Sequence, residues 1–576
     1  ARAGQLTYKQ ALQAIHDRRN ALATAHPFSA RVLGNGSAFL YRQGFVCVQS
    51  GDTISVAYVR SPSNLVQLDL STIVRPALEA SSASPVRFRL SMLYYSDGVL
   101  AVHAESDGRP NVGHVFAIST AKEPPKGKRV IRRIQVATNC KLFVRHTSQY
   151  LYYGTHTGIG DDGHHKWEIS GISLDERYTL PRTERPLLLE NFHGTDIGST
   201  VAFEIFNDQL HAISNQGTFE VEEIDWTSFY HCVRFPLNNP TSAMVEKNER
   251  VYRRQHAQGP IHDSWTDLSL QACERTDEVM IIESRREWAQ ASSRQSRTFY
   301  TTNFEVRRKR SSRSSSPSGD ESSLDHPLLP AGDLYLPLLD STNKPNYIPT
   351  PPQYSWSRHP EFTKDDIPPR SFILARTKFR AYNYACTSFL DIVEDERCCD
   401  DPSKPPCLRL RVGSRREWYP DDGQSATTKG KGRPDDTEPC VDHRTSFRNS
   451  PIRMWPPPAS RCSCSERLHD IINPPLTSGP SHARSVIGVL DERTLVYMVK
   501  PGRSYSGADD NTLGTIVVVD FTRPQRPTDT TLIHPVTMAQ CDSMLDEGAK
   551  VAGDFDASNW TWAPNQKSLC QSRTCR

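Results

Sequence analysis

The sequence lacks the motifs of the common enzyme classes. It has no HExxH zinc-protease motif, no GxSxG nucleophile elbow, no P-loop and no EF-hand loop, each of which sets reacting groups or ligands at a fixed spacing. The Asp-box of sialidase blades (Ser-x-Asp-x-Gly-x-Thr-Trp) is also absent. We therefore predict that the chain is not an enzyme and that it uses no catalytic residue, cofactor or metal.

Long apolar runs and a charge excess are missing too. No apolar stretch approaches the roughly 18 residues of a membrane-spanning helix, and no secretory signal stands at the start, where the chain opens on Ala1. The 69 basic and 66 acidic side chains leave a net charge of only +3. Neither nucleic acid nor a membrane is therefore expected as a partner.

The 14 cysteines are scattered and do not resemble the disulfide framework of a small secreted domain. Cys47, Cys140, Cys232 and Cys386 stand in apolar, strand-like runs, where a thiol behaves as a small hydrophobic side chain. We interpret these four as buried thiols in a reducing compartment, and we expect the protein in the cytoplasm and/or the nucleus.

A strand–turn–strand pattern recurs in the first half of the chain. Phe39–Tyr58 has the pattern of three short apolar strands joined by polar turns. The first of these turns returns near residues 98, 149 and 208, a period of about 50–60 residues that is typical of a β-propeller. The sequence predicts a mainly β fold, an irregular propeller of six or seven blades. Candidate blades lie near 39–70, 86–120, 130–174, 198–236, 243–300, 370–412 and 484–521.

An amphipathic helix is predicted ahead of the strands, over residues 5–24. Tyr8, Leu12, Ile15 and Leu22 recur at the spacing of one helix face. We expect this face to dock on the propeller or on a module that precedes it.

Composition divides the remainder of the chain. The predicted segments are the helical segment 1–27, first blades 28–302, a disordered Ser/Arg- and Pro-rich insertion 303–369, a blade 370–412, a second disordered polar insertion 413–483, a blade 484–524 and an irregular tail 525–576. Within the tail, Ala557–Ala563 is expected to dock back on the core.

Three short motifs have competing interpretations. Gly158, Gly160 and Gly163 fit GxGxxG, but a strand-like run follows where a dinucleotide site needs a helix, so we predict a loop between two strands. A second group concentrates between residues 398 and 469 and offers zinc-type ligands, but its Cys-Cys and Cys-x-Cys pairs are poor matches to the usual C-x₂-C spacing. We favour unligated thiols there over a metal site. The group comprises Cys398, Cys399, Cys407, Cys440, His443, Cys462, Cys464 and His469.

The third motif is a basic tract followed by serines. It is interpreted as a solvated linker or as a nuclear import or phosphorylation-controlled segment. Its basic residues are Arg307, Arg308, Lys309, Arg310 and Arg313.

Several longer strings resemble the filamentous-fungal F-box protein family, in the region that follows the F-box. They are Tyr8–Ala25, Phe39–Gly44, Arg253–Thr266, Ile282–Trp288, Arg297–Thr302 and Cys407–Arg415. The resemblance covers most of residues 5–415 and 484–521. It implies a substrate-recruiting subunit of a cullin-type ubiquitin ligase, with a protein substrate on the propeller. A Skp-type adaptor and cullin would be partners only if an F-box lies upstream, because no F-box is found between Ala1 and the helix.

Two other functions remain open at this point. The propeller is alternatively an interaction scaffold without a ligase role, or a secreted carbohydrate-active propeller. The coding sequence upstream of Ala1 would separate the three, since an F-box, a signal peptide or neither would favour one hypothesis each.

Overall fold

The structure is a computed structural model. It describes residues 7–79, 88–106, 112–124, 127–137, 140–161, 163–181, 185–190, 192, 200–215, 227–255, 258–259, 261, 266–288, 295–306, 358–361, 377–396, 398, 406–418, 446–459, 463–476, 484–502, 512–523 and 559–561. Over this part of the chain it contains seven antiparallel sheets, which are the blades of a β-propeller, and three α-helices. The predicted fold class is confirmed. None of the described helices combines the length and the apolar character that crossing a membrane requires.

The chain divides into two units, residues 1–76 with 372–576 and residues 77–371. The second unit holds four blades in sequence order. Blade 2 consists of β6 (Phe88–Ser96), β7 (Val99–Ser106), β8 (Gly113–Ser119) and β9 (Val130–Val136); blade 3 of β10 (Leu142–His146), β11 (Tyr150–Ile159), β12 (His165–Ser173) and β13 (Leu187–Leu189); blade 4 of β14 (Val201–Phe206), β15 (Gln209–Ser214), β16 (Thr227–Pro236) and β17 (Glu246–Gln255); and blade 5 of β18 (Asp267–Ala272), β19 (Val279–Trp288), β20 (Gln295–Asn303) and β21 (Arg358–Pro360).

The first unit holds the other three blades. Blade 1 consists of β2 (Ala38–Arg42), β3 (Phe45–Ser50), β4 (Thr53–Tyr58) and β5 (Ser61–Asp69); blade 6 of β22 (Thr377–Asn383), β23 (Ser388–Asp395), β24 (Cys407–Trp418), β25 (Ser446–Asn449) and β26 (Arg453–Trp455); and blade 7 of β27 (Arg484–Leu490), β28 (Thr494–Pro501), β29 (Gly514–Asp520), β1 (Ser29–Gly36) and β30 (Asn559–Thr561). The helices are α1 (Tyr8–Ala23), α2 (Leu70–Glu79) and α3 (Ser463–Ile472).

The recurring turns of the sequence are the first hairpin turns of successive blades. Gln43-Gly44 and Asp97-Gly98 have positive φ at both positions, which is the type I′ geometry that matches the twist of paired strands. Asn207-Asp208 closes β14 onto β15 in the same way. The regular recurrence of these turns in the sequence is therefore what predicted the propeller fold.

Apolar side chains on both faces explain why the middle strands of each blade are buried. Leu495, Val496, Tyr497 and Met498 of β28 are all buried, because alternate residues face the two neighbouring blades. Separate apolar clusters fill the spaces between blades 2 and 3, 3 and 4, and 4 and 5 of one unit, and between blades 1 and 7 and 6 and 7 of the other.

Several predicted boundaries differ from the structure. The candidate blade 243–300 mixed two sheets, since β17 pairs with β16 of blade 4. The N-terminal strand β1 was not assigned to a blade, yet it pairs with β29 in blade 7. The segment around Ala557–Ala563 does dock, since β30 pairs with β1.

The two predicted insertions are not wholly without structure. In 303–369, β21 pairs with β20. In 413–483, β25 and β26 pair with β24, and α3 buries Leu468, Ile471 and Ile472. A short amphipathic helix with three apolar residues on one face is hidden when the composition is averaged over a long polar stretch.

Candidate functional site

Helix α1 packs on the first unit through its C-terminal half. Thr7 caps its start with a capping box, in which the Gln10 amide N–H donates to Thr7 Oγ1 at 3.2 Å and the Thr7 amide N–H donates to Gln10 Oε1 at 2.8 Å. At the other end, Ala21 and Leu22 are buried in the cluster between blades 6 and 7. Ser414 Oγ donates to the Ala23 carbonyl at 3.3 Å.

The predicted docking face of α1 is therefore split. Leu22 is 1% exposed, whereas Tyr8, Leu12 and Ile15 are 77%, 68% and 38% exposed. Leu22 packs against the blades, and docking of the other three side chains on a module that precedes the helix stays a prediction. The three exposed side chains form an apolar patch on one side of the helix, called the α1 patch below.

A buried ionic centre joins blades 4 and 5 within the second unit. The Glu283 side chain has no solvent exposure and lies between two arginines, with Arg253 Nη2 at 2.6 Å from Oε1 and Arg285 Nη2 at 2.7 Å from Oε2. The Tyr230 hydroxyl donates to Oε2 at 2.5 Å. Arg285 also lies over the Tyr300 ring, with its guanidinium carbon 3.9 Å from the ring centroid.

Electrostatics at this centre fix one charge state. Burial raises the pKa of Glu283, but the two guanidinium groups outweigh it and leave that pKa well below its usual range. Burial and the adjacent Glu283 carboxylate raise the pKa of Tyr230. Two guanidinium groups share one carboxylate, and all three side chains are buried, so we assign this centre to the support of the fold. Sequence reasoning missed it, although charged residues inside the strand-like run Ile282–Trp288 were the available signal.

Three members of the predicted Cys/His group come together in the first unit. The Sγ atoms of Cys398 and Cys407 and a ring nitrogen of His469 all lie within 4.8 Å of one another. Hydrogen bonding from Cys407, followed by contact with His469, outweighs burial and lowers the pKa of the Cys398 thiol to about 4. The spacing along the chain did not predict that these three residues lie together, and the interpretation as unligated thiols stays a prediction. The other members of the group are not described by the structure. The whole residue is left out for Cys399, Cys440, His443 and Cys462, and the side chain for Cys464.

The seven described cysteines form no disulfide with one another. Cys47, Cys232 and Cys386 are buried, as predicted, whereas Cys140 is half-buried. Burial raises the pKa of Cys47 and Cys232, which keeps both thiols protonated and inert at neutral pH.

The GxGxxG segment is a hairpin loop, as predicted. Gly158 is in β11, and Gly163 precedes β12 and has a φ of 74°. The Gly163 N–H donates to the Gly160 carbonyl at 2.9 Å. The basic tract, comprising Arg307, Arg308, Lys309, Arg310 and Arg313, falls outside the described residues.

Comparison with known proteins gives only distant likenesses. No family model matches the chain, and no curated protein matches it. Among solved structures, the WD40 domain of SCAP from fission yeast is 8% identical, with 84% of each chain covered and a TM-score of 0.32. Drosophila Semaphorin 2a is 9% identical, with 86% of this chain and 75% of that chain covered and a TM-score of 0.33. At such values the likeness carries no argument about function.

Proposed function

We propose that the chain is a protein-binding propeller, and that it is the substrate-recruiting part of an F-box subunit of a cullin-type ubiquitin ligase. The observation that carries the proposal is the split face of α1. Leu22 anchors one end of the helix in the blades, while Tyr8, Leu12 and Ile15 are left exposed next to the place where the resembling family has its F-box.

In this scheme α1 is the connection between the two modules. An apolar helical module preceding Tyr8 would cover the α1 patch, since burying a Leu or Ile side chain contributes about 1.5–3 kcal/mol. The helix would then fix the direction in which the propeller holds its substrate relative to the adaptor. A rigid connection of this kind sets the effective concentration of substrate lysines near the conjugating enzyme. No residue of the chain performs bond chemistry in this scheme.

Adaptor binding tests the ligase role. The chain beginning at Ala1 and a version extended by the coding sequence directly upstream would be compared for binding to a purified Skp-type adaptor and cullin. We expect the extended protein to bind both and the shorter chain to bind neither. An extension that contains no F-box, or an extended protein that binds no adaptor, would refute the ligase role and leave the interaction scaffold.

Substrate recruitment needs a second readout. Proteins that co-purify with the shorter chain would be offered to the reconstituted ligase carrying the extended chain. We expect at least one of them to be ubiquitinated, and we expect the shorter chain in excess to block this by competition. Failure of every co-purified protein to be modified by an adaptor-bound ligase would contradict substrate recruitment.

A further inference from the structure

We infer that Cys398, Cys407 and His469 form a structural zinc site that ties helix α3 to the end of blade 6. The inference is independent of the ligase proposal. It rests on the position of three ligand atoms, on the hydrogen bonding of the histidine ring and on the frame that holds them.

The three ligands come from separate elements and meet in a buried place. Cys398 follows β23, Cys407 begins β24, and His469 lies in α3, more than sixty residues further along the chain. Their exposures are 2%, 8% and 7%. Two thiols and an imidazole are ligand types that zinc prefers, and thiolates are excluded from an apolar interior unless a cation neutralises them.

One ligand separation matches that expected around a tetrahedral ion. Zn–S bonds of about 2.3 Å and Zn–N bonds of about 2.0–2.1 Å place neighbouring ligand atoms about 3.5–3.8 Å apart. Cys398 Sγ lies 3.8 Å from His469 Nδ1. That separation is too long for a strong hydrogen bond and close to the edge of such a tetrahedron.

Hydrogen bonding leaves one nitrogen of the histidine ring available as a ligand. His469 Nε2 is 2.9 Å from the Pro457 carbonyl oxygen. A carbonyl only accepts, so Nε2 carries the proton and the lone pair of a neutral ring is on Nδ1. Cys398 Sγ lies 3.8 Å from Nδ1 and 4.0 Å from Nε2, so the ring would turn to direct Nδ1 at a shared ion. Ligating histidines commonly donate their second ring N–H to a carbonyl in this way.

The surrounding frame holds the ligands in register. The Asn473 side chain, just after α3, forms two hydrogen bonds with the main chain of Leu408, beside Cys407. The Ala459 N–H donates to the Cys398 carbonyl at 2.9 Å. A metal would add to this frame a direct link between the three ligand side chains.

Metal content tests the site. The full chain would be purified under reducing conditions, reconstituted with zinc, passed over a chelating resin and assayed by mass spectrometry for metal. We expect about one zinc ion per chain, and near none in Cys398→Ser, Cys407→Ser or His469→Gln. Cys386→Ala is the matched control, because it removes another buried thiol, in the apolar cluster that contains Leu408 and Leu468, and should leave the zinc content unchanged.

Folding and coordination are controlled separately. His469→Cys keeps a zinc ligand at the position and should restore metal binding, whereas a loss caused by misfolding would persist. Substitution by Co²⁺ should give the visible absorption of tetrahedral thiolate coordination in the wild type. A metal-free wild-type chain after reconstitution, equal zinc in wild type and all three ligand variants, or a Cys398–Cys407 disulfide that persists under reducing conditions would each overturn the inference.

Discussion

Arg253 and Glu283 form a buried ion pair that joins two adjacent blades, with Nη2 of Arg253 2.6 Å from Oε1 of Glu283. Arg253 belongs to the outer strand of blade 4 and Glu283 to the second strand of blade 5. Because Arg285 contacts the same carboxylate, one side chain compensates part of the charge of two buried cations. The first prediction follows from this arrangement.

Glu283→Gln should destabilise the second unit by about 3–5 kcal/mol, because it leaves two guanidinium groups buried with reduced compensation. Chemical denaturation of both proteins measures the difference. Glu249→Gln is the control, since the Lys247–Glu249 pair is partly exposed and solvent-exposed pairs contribute about 0–1 kcal/mol. Equal effects of the two substitutions would contradict the assigned role of the centre.

Leu22→Ala and Leu12→Ala should differ strongly although both lie on the same helix. Leu22 is buried, and its truncation should cost about 2–4 kcal/mol. Leu12 is exposed, and its truncation should change stability by less than about 0.5 kcal/mol. Thermal melting of the two variants provides the comparison. A large effect at Leu12 would mean that another part of the chain covers the α1 patch.

Stability should depend on pH through His211. Burial lowers the pKa of this imidazole from 6.5 to about 4 in the folded chain, so between these values the unfolded chain binds the proton and the folded chain does not. Stability is therefore fully present above pH 6.5 and falls by about 2–3 kcal/mol as the pH drops to 4.

His211→Gln should lose this part of the pH dependence, because glutamine does not titrate. Denaturation curves at several pH values measure the slope. The control His16→Gln removes an exposed histidine of α1 and should keep the wild-type slope. An unchanged slope in His211→Gln would assign the pH dependence to other groups, such as His103, whose pKa burial also lowers.

Gly413→Ala should destabilise blade 6 by about 1–3 kcal/mol. Gly413 lies directly opposite Phe389 in the β23–β24 pair, and an added Cβ would collide with the aromatic ring. Phe389→Leu should itself be destabilising, but it should reduce the cost of the second substitution. A double-mutant cycle with no coupling between the two positions would contradict the steric explanation.

Local patterns predicted the strands better than they predicted the blades. A positive-φ turn such as Asp97-Gly98 can be recognised from two consecutive residues, and the strands on either side of such turns were predicted from the sequence. The assignment of Glu246–Gln255 to blade 4 depends on hydrogen bonds to β16, and its mixed polar sequence fits an outer strand of one blade as well as an inner strand of the next. Pairing across a sheet is not encoded within a strand.

The candidate sites show the same limit. Cys398 and His469 were recognised in the sequence as members of a Cys/His-rich group. A metal site was not favoured there, because the Cys-Cys and Cys-x-Cys pairs of the group differ from the usual C-x₂-C spacing of zinc ligands. The structure pairs residues that lie far apart in the sequence, which local motifs do not capture. Glu283 had no motif at all, since its role depends on arginines from two different strands.

The pairing of Ser29 with Asp520 in blade 7 has a consequence for biosynthesis. During translation, β1 leaves the ribosome long before its partner β29, so β1 waits as an unpaired strand while the intervening blades are made. Unpaired strand edges are prone to wrong association. Once formed, blade 7 joins strands from two widely separated parts of the sequence, so that loss of either part would open the same sheet.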